Sequence, residues 1–240
     1  MFCLSCILMI GFPVNVHAPE RERSSSMNRP GLKRSLMYVL SLAILALGIT
    51  LNTKTQLGVS CIVSVPYVVS LLFSLPLGIT TFVYYLLLIL LQKLLLGKEF
   101  QNLQYLQIIA SLITSLFIQG WDLLLPVFQP LWLRIAALLA GIVITGIGAS
   151  LSLALDIVPN PADGLAHAVG KKLRRDVGLG KNLIDLVSIA IAAALGLLLR
   201  RRILGIGIGT LCAMLLTGRV MALIHPRSIK LSNKLKDMDA

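Results

Sequence analysis

Six apolar runs, each long enough to cross about 30 Å of hydrocarbon as a helix, dictate what this chain of 240 residues can become. They cover residues 35–53, 77–96, 106–125, 131–155, 182–199 and 203–224. Composition closes off the soluble alternative. Charged residues make up 13% of the chain and hydrophobic ones 57%, with a mean hydropathy of +0.88. A soluble domain carries about 25% charged residues, so half the usual charge is too little to coat a water-facing surface. The expected fold class is all-α, a polytopic transmembrane bundle of about six spans. The last run is Gly-rich and carries Arg219, so it is expected either to span fully or to be partly re-entrant.

Two further segments lie between spans. Residues 57–75 are apolar but interrupted by Pro66 and closed by Pro76. Residues 161–177 follow Pro159 and put Leu165, Ala166, Val169 and Leu173 on one helical face and Lys171, Lys172, Arg174 and Arg175 on the other. That pattern predicts an amphipathic helix in the headgroup plane. Proline removes a backbone donor and disfavours helix in the residue before it, so both segments are expected to break at the membrane.

Lys and Arg number 22 against 10 Asp and Glu, a formal net charge of +12. The cations fall between the apolar runs, where they orient a membrane protein and meet anionic lipid. With the N-terminus inside, Lys93, Lys98, the 171–175 cluster and the C-terminal tail become cytoplasmic. The 121–130 connection has no Lys or Arg and becomes external, and Arg200, Arg201 and Arg202 are the exception. The expected partners are the lipid bilayer, its anionic lipids and a small solute or ion. Lys171, Lys172, Arg174 and Arg175 form the expected lipid- or partner-facing surface. Nucleic acid is not expected, because no basic stripe is interleaved with stacking aromatics.

Residues 1–26 read as an N-terminal extension, either preceding a natural start at Met27 or forming a loose extension. A signal cleaved after Val16-His17-Ala18 is the alternative, against which stands the lack of the positive segment that a secretory signal needs before its apolar stretch. Cys3 and Cys6 form a C-x-x-C without the second Cys/His pair that zinc needs, and Cys61 and Cys212 read as small hydrophobes. No metal, cofactor or disulfide is expected.

Displaced by one hundred residues, the chain pairs with itself over about 50 positions without gaps. Gly48-Ile-Thr-Leu51 meets Gly148-Ala-Ser-Leu151, Val69 meets Val169, and Leu77-Gly78 meets Val177-Gly178. The interrupted segment follows the first span of each half. This divides the chain into a first three-span unit (27–130), a second (131–226) and a basic tail (227–240). Three spans per unit turn the units upside down relative to each other, as in many secondary transporters.

The chain resembles the YitT/YczE-type family of bacterial polytopic membrane proteins. The resemblance is carried by Gly48-Ile-Thr-Leu51, Leu57-Gly58-Val59-Ser60, Pro161-Ala-Asp163-Gly164-Leu165, Val177-Gly-Leu-Gly180 and Gly205-Ile-Gly-Ile-Gly209-Thr210. It runs from about 27 to 224 and implies a multi-pass protein of the bacterial cytoplasmic membrane. The family's activity is poorly defined, so the resemblance implies little about substrate. The chain departs from it in residues 1–26 and in having Cys61 where the second half has Pro161.

An ionisable group inside a span costs roughly 2.5–3.5 kcal/mol on insertion scales, so each needs a reason. Asp156, Asn160, Asp163 and His167 form the densest polar group near a membrane segment, with Asp163 and His167 one turn apart. They could hold a cation or relay protons, or Asp163 could simply cap the helix that follows. Asp185 reads as a charge near the start of the fifth span, compensating its N-terminus or facing a substrate. Asn52 and Lys54 stand at the mouth of the first span, Lys54 attracting an anion or snorkelling. Gly141 and Gly148 make a small-residue packing face, and Gly205 and Gly209 a G-x-x-x-G for helix contact. No H-E-x-x-H or G-x-S-x-G is present, so no enzyme is expected. The leading expectation is a transporter or permease-like protein. The alternative is a membrane regulator or scaffold acting through its basic face.

Overall fold

A computed structural model of the protein describes residues 31–175 and 177–239. Eight α-helices and no strands are found among them. These are α1 (Leu32–Lys54), α2 (Cys61–Phe73), α3 (Leu77–Leu96), α4 (Leu106–Leu124), α5 (Leu131–Leu155), α6 (Pro161–Leu173), α7 (Val177–Arg200) and α8 (Ile208–Asp239). Two 3-10 turns, Gly97–Glu99 and Asn102–Tyr105, join α3 to α4. All but α2 and α6 are long and apolar enough to cross a membrane, which makes this a multi-pass integral membrane protein. Residues 1–26, with Cys3, Cys6 and the expected start at Met27, lie outside the described residues.

The hundred-residue spacing governs the architecture. Helices starting at 32, 61, 77 and 106 recur at 131, 161, 177 and 208, and α2 and α6 each have 13 residues. Left-handed residues recur too: Gln56 (φ 56°) with Asp156 (48°), and Ser74 (54°) with Arg174 (53°). Outside glycine this conformation is uncommon, so its return at the same interval marks the same turn built twice.

The equivalent helices α1 and α5 cross antiparallel through the centre. At one end Arg34 Nη2 donates to the Leu155 carbonyl (2.9 Å) and Tyr38 Oη to the Val158 carbonyl (2.9 Å). At the other, Arg134 Nε donates to the Thr55 carbonyl. Between them Gly148 lies on the Leu45 backbone and Gly48 on the Thr145 backbone, so close that a Cβ on either would collide. That reciprocity, 148 on 45 and 48 on 145, is what a two-fold axis between the halves produces. The halves are therefore inverted.

Each half then lends its short helix to the other. α2 packs on α7 and α6 on α3, while α4 packs on α1 and α8 on α5. The symmetry is incomplete: α3 packs on α4, but α7 is held by α2 and α6 rather than by α8, and α8 also packs on α1 with no like packing of α4 on α5. α2 begins with Cys61 within electrostatic range of Asp185 and runs outward with Val65 and Val68 against Ala192. α6 begins with Ala162, Leu165 and Ala166 around Tyr85 and Leu88 and ends beside Leu95 and Leu96. At 1.5 Å per residue each is about 20 Å long, a half-span that starts mid-bundle and leaves at the opposite end from the other.

Two expectations are corrected here. α6 is not a surface helix in the headgroup plane. Its first ten residues are mostly small, and Ala162, Gly164, Leu165, Ala166, Ala168 and Gly170 are buried, so α3 and α7 close over it. Apart from His167, only the end that carries Lys171, Lys172 and Arg174 is left exposed. The sixth span starts at Ile208, not at 203, because Gly205 turns the chain at φ 68°. Gly205 and Gly209 therefore do not share a helix face. They let this loop pair edge to edge with residues 57–59, through Val59 N–H to the Gly205 carbonyl (2.9 Å) and Gly209 N–H to the Leu57 carbonyl (2.9 Å).

The tail does not leave the bundle as a separate segment. α8 continues through Pro226 to Asp239, a rod about 48 Å long, well beyond a bilayer's hydrocarbon. It stays helical because one face is buried: Ser228 and Ser232 are covered, and Leu235 packs with Tyr38 and Leu155. Ser228 and Ser150 share a hydrogen bond of 2.9 Å.

Candidate functional site

A helix N-terminus concentrates unpaired backbone N–H groups and partial positive charge. Two such ends meet in the middle of this bundle. Ile62, in the first turn of α2, packs against the group that includes Tyr85, Ala162 and Ile184, so the starts of α2 and α6 face one another across α3 and α7. The side chains around this meeting point are Cys61, Tyr84, Tyr85, Asn160, Asp163, Lys181, Asp185 and Ser188.

Asp185 is the most consequential of them. It is 9% exposed and lies more than two turns into α7, within electrostatic range of Lys181, Asp163 and Cys61. The helix starts at Val177 rather than 182, so Asp185 is too deep to compensate its N-terminus, whose field fades within the first turn. On the same face one turn on, the Ser188 hydroxyl is hydrogen-bonded to Tyr84 Oη at 2.9 Å. Tyr85 is 1% exposed, and its hydroxyl lies beside the Asn160 side chain without a hydrogen bond of good geometry.

Asn160, not Asp163, caps α6: its side-chain oxygen accepts from the Ala162 N–H at 3.1 Å. Proline at the first helical position has no N–H to satisfy, which suits this cap. Asp163 is thereby left to pair with Lys181 Nζ at 3.2 Å, a half-exposed bridge tying α6 to α7. Asp156 is exposed in its left-handed turn, and His167 is exposed on α6, so neither joins the buried group. Lys54 is drawn to Asp122 at 2.9 Å, bridging the ends of α1 and α4. Asn52 is 1% exposed with both amide atoms unpaired, pressed against Gly141 at the α1–α5 crossing, where Gly148 also sits. Lys171 pairs with Glu99 at 2.9 Å, and Lys172, Arg174 and Arg175 stand exposed around it.

A second polar feature runs from this point toward the end of the bundle that carries Lys98 and Lys171. Gln92 (1% exposed) on α3 and Gln107 (0%) on α4 both crowd Gly164 of α6. The Gln92 carbonyl oxygen and both Gln107 amide atoms have no hydrogen-bond partner. Sequence reasoning passed over these two glutamines, the Tyr84–Tyr85 pair and Lys181. The signal was available for the glutamines, since an amide inside an apolar run needs a partner just as a charge does.

The geometry defines a class: an inverted pair of three-span units with a half-span helix in each, meeting around a buried carboxylate inside a membrane protein. Residues 32–226 match the model of a family of unknown function, DUF6198, and the chain belongs to that family. No curated protein and no solved structure matches the chain.

Proposed function

We propose that the chain is a permease-like transporter of a small solute or ion, working by rocking its two halves about the α1–α5 crossing. One observation carries this reading: the half-span helices α2 and α6 begin opposite each other at Asp185, at equivalent places in inverted halves. Inverted-repeat transporters use such broken helices because half-helix ends bring partial charge to mid-membrane, where the repeat interface can open to either side. Asp185 supplies the carboxylate for a coupling cation or proton, the start of α6 supplies N–H dipoles, and Tyr85 and Asn160 supply hydrogen bonds. The likeness to YitT/YczE-type proteins belongs with this reading, as do placement in the bacterial cytoplasmic membrane and cytoplasmic termini. A scaffold acting only through its basic face would leave a buried carboxylate without a purpose.

The test is a thermal-unfolding screen of detergent-purified protein against alkali cations, inorganic anions, amino acids and small carboxylates, at several pH values. A ligand at a hundred times its dissociation constant stabilises the folded state by about 2.7 kcal/mol. In a chain of this size that shifts the midpoint by roughly 5–10 °C. The expected result is at least one stabilising solute whose effect disappears in Asp185→Asn. A screen in which every response survives Asp185→Asn refutes the assignment of the site.

A further inference from the structure

At the end of the bundle where α3 stops and α6 exits, a cleft of about 490 Å³ opens between the two helices. Its walls are Leu95, Leu96 and Ala168, and its rim carries Lys98, Lys171, Lys172 and Arg174 with a single carboxylate, Glu99. Lys171 already neutralises Glu99 at 2.9 Å, so the remaining rim charge is strongly positive. Along both elements the aliphatic lining precedes the cationic one, Leu95 and Leu96 of α3 before Lys98 and Ala168 of α6 before Lys171, Lys172 and Arg174, the order of a lipid's chain and headgroup. Basic pockets between transmembrane helices recognise phosphate headgroups in this way, and each lysine or arginine near an anionic surface contributes about 1 kcal/mol.

We infer that this cleft is a binding site for the phosphate headgroup of an anionic phospholipid, with Lys98, Lys172 and Arg174 on the phosphate and an acyl chain along Leu95 and Leu96. The site is independent of the transport reading. Its location gives it a structural consequence, because the ligand spans the last turn of α6 and the turn after α3, two elements from opposite halves. A bound headgroup therefore holds the exit of one half-helix against the other half.

The experiment is native mass spectrometry of the full-length protein released from detergent micelles, titrated with phosphatidylglycerol or phosphatidylcholine. A parallel arm adds 10 mM inorganic phosphate. The expected result is one phosphatidylglycerol retained at least tenfold more tightly than phosphatidylcholine. That preference should fall at least tenfold in the triple variant Lys98→Gln, Lys172→Gln, Arg174→Gln. It should be untouched in Arg200→Gln, Arg201→Gln, Arg202→Gln, which removes the same charge at the opposite end. Equal loss in both triple variants, or no preference between the two lipids, overturns the proposal. Displacement of the lipid by inorganic phosphate overturns it as well, by assigning the cleft to a free anion. A thermal-unfolding midpoint within about 2 °C of the parent establishes that each variant is folded.

Discussion

Adding one methyl group to Gly148 is expected to cost the folded protein about 3 kcal/mol. In Gly148→Ala the new Cβ meets the Leu45 backbone, with Leu45 Cα at 2.7 Å, and backbone in the middle of a packed helix cannot turn aside as a side chain would. Overpacking of this kind costs typically 1–3 kcal/mol, and the rigid obstacle puts Gly148 at the upper end. By the two-fold relation, Gly48→Ala meets Thr145 in the same way and should cost about as much. Gly218→Ala is the matched control: nothing lies within 4 Å of its Cβ, and alanine's better helix propensity should add about 0.5–1 kcal/mol. Unfolding midpoints in one detergent compare all three. A small loss for Gly148→Ala would mean that α1 and α5 do not cross as closely as described.

Replacing both buried glutamines should have the opposite sign. Gln92→Leu with Gln107→Leu removes three buried polar atoms that have no hydrogen-bond partner, each of which costs about 1–3 kcal/mol to leave unpaired. Leucine is close in volume, and hydrophobic swaps of similar size cost under about 1.5 kcal/mol. The double variant is therefore expected to gain on the order of 2 kcal/mol, seen as a rise of roughly 4–8 °C in the unfolding midpoint. Loss of stability would show that the amides are satisfied by groups or water that these contacts do not include. If the transport reading holds, the more stable protein should also be the poorer transporter, since polar groups kept at a cost in stability lie beside the half-helix that must move. Stability of this kind is commonly given up at functional sites.

Much of this was legible in the residues themselves. The six spans follow from run length, because backbone in hydrocarbon must satisfy its own hydrogen bonds. The inverted repeat follows from Gly48 matching Gly148 and from the interrupted segments falling a hundred residues apart. What the residues did not disclose is depth. The 161–173 pattern looks amphipathic whether the helix lies on a membrane or enters it, and only its partners decide. The small residues Gly164, Gly170 and Gly180 invited α3 and α7 to close around it, and a helical wheel counts such residues as neutral. Pairings across the chain were hidden for the same reason. Lys54 with Asp122 and Asp163 with Lys181 are neighbours only once the helices are stacked. Gly205 and Gly209 matched a helix-packing motif, yet the same close approach is used by a loop paired with Gly58.

The central claim is that α2 and α6 leave the bundle on opposite sides. In a background with every native cysteine replaced by serine, single cysteines at Ser74→Cys and Arg174→Cys, just past the two half-helices, can be probed in intact cells and in inverted vesicles with a membrane-impermeant maleimide. Position 74 should react only from outside and position 174 only from inside. Reaction of both from the same side would contradict the inverted arrangement on which the fold, the site and the transport reading all rest.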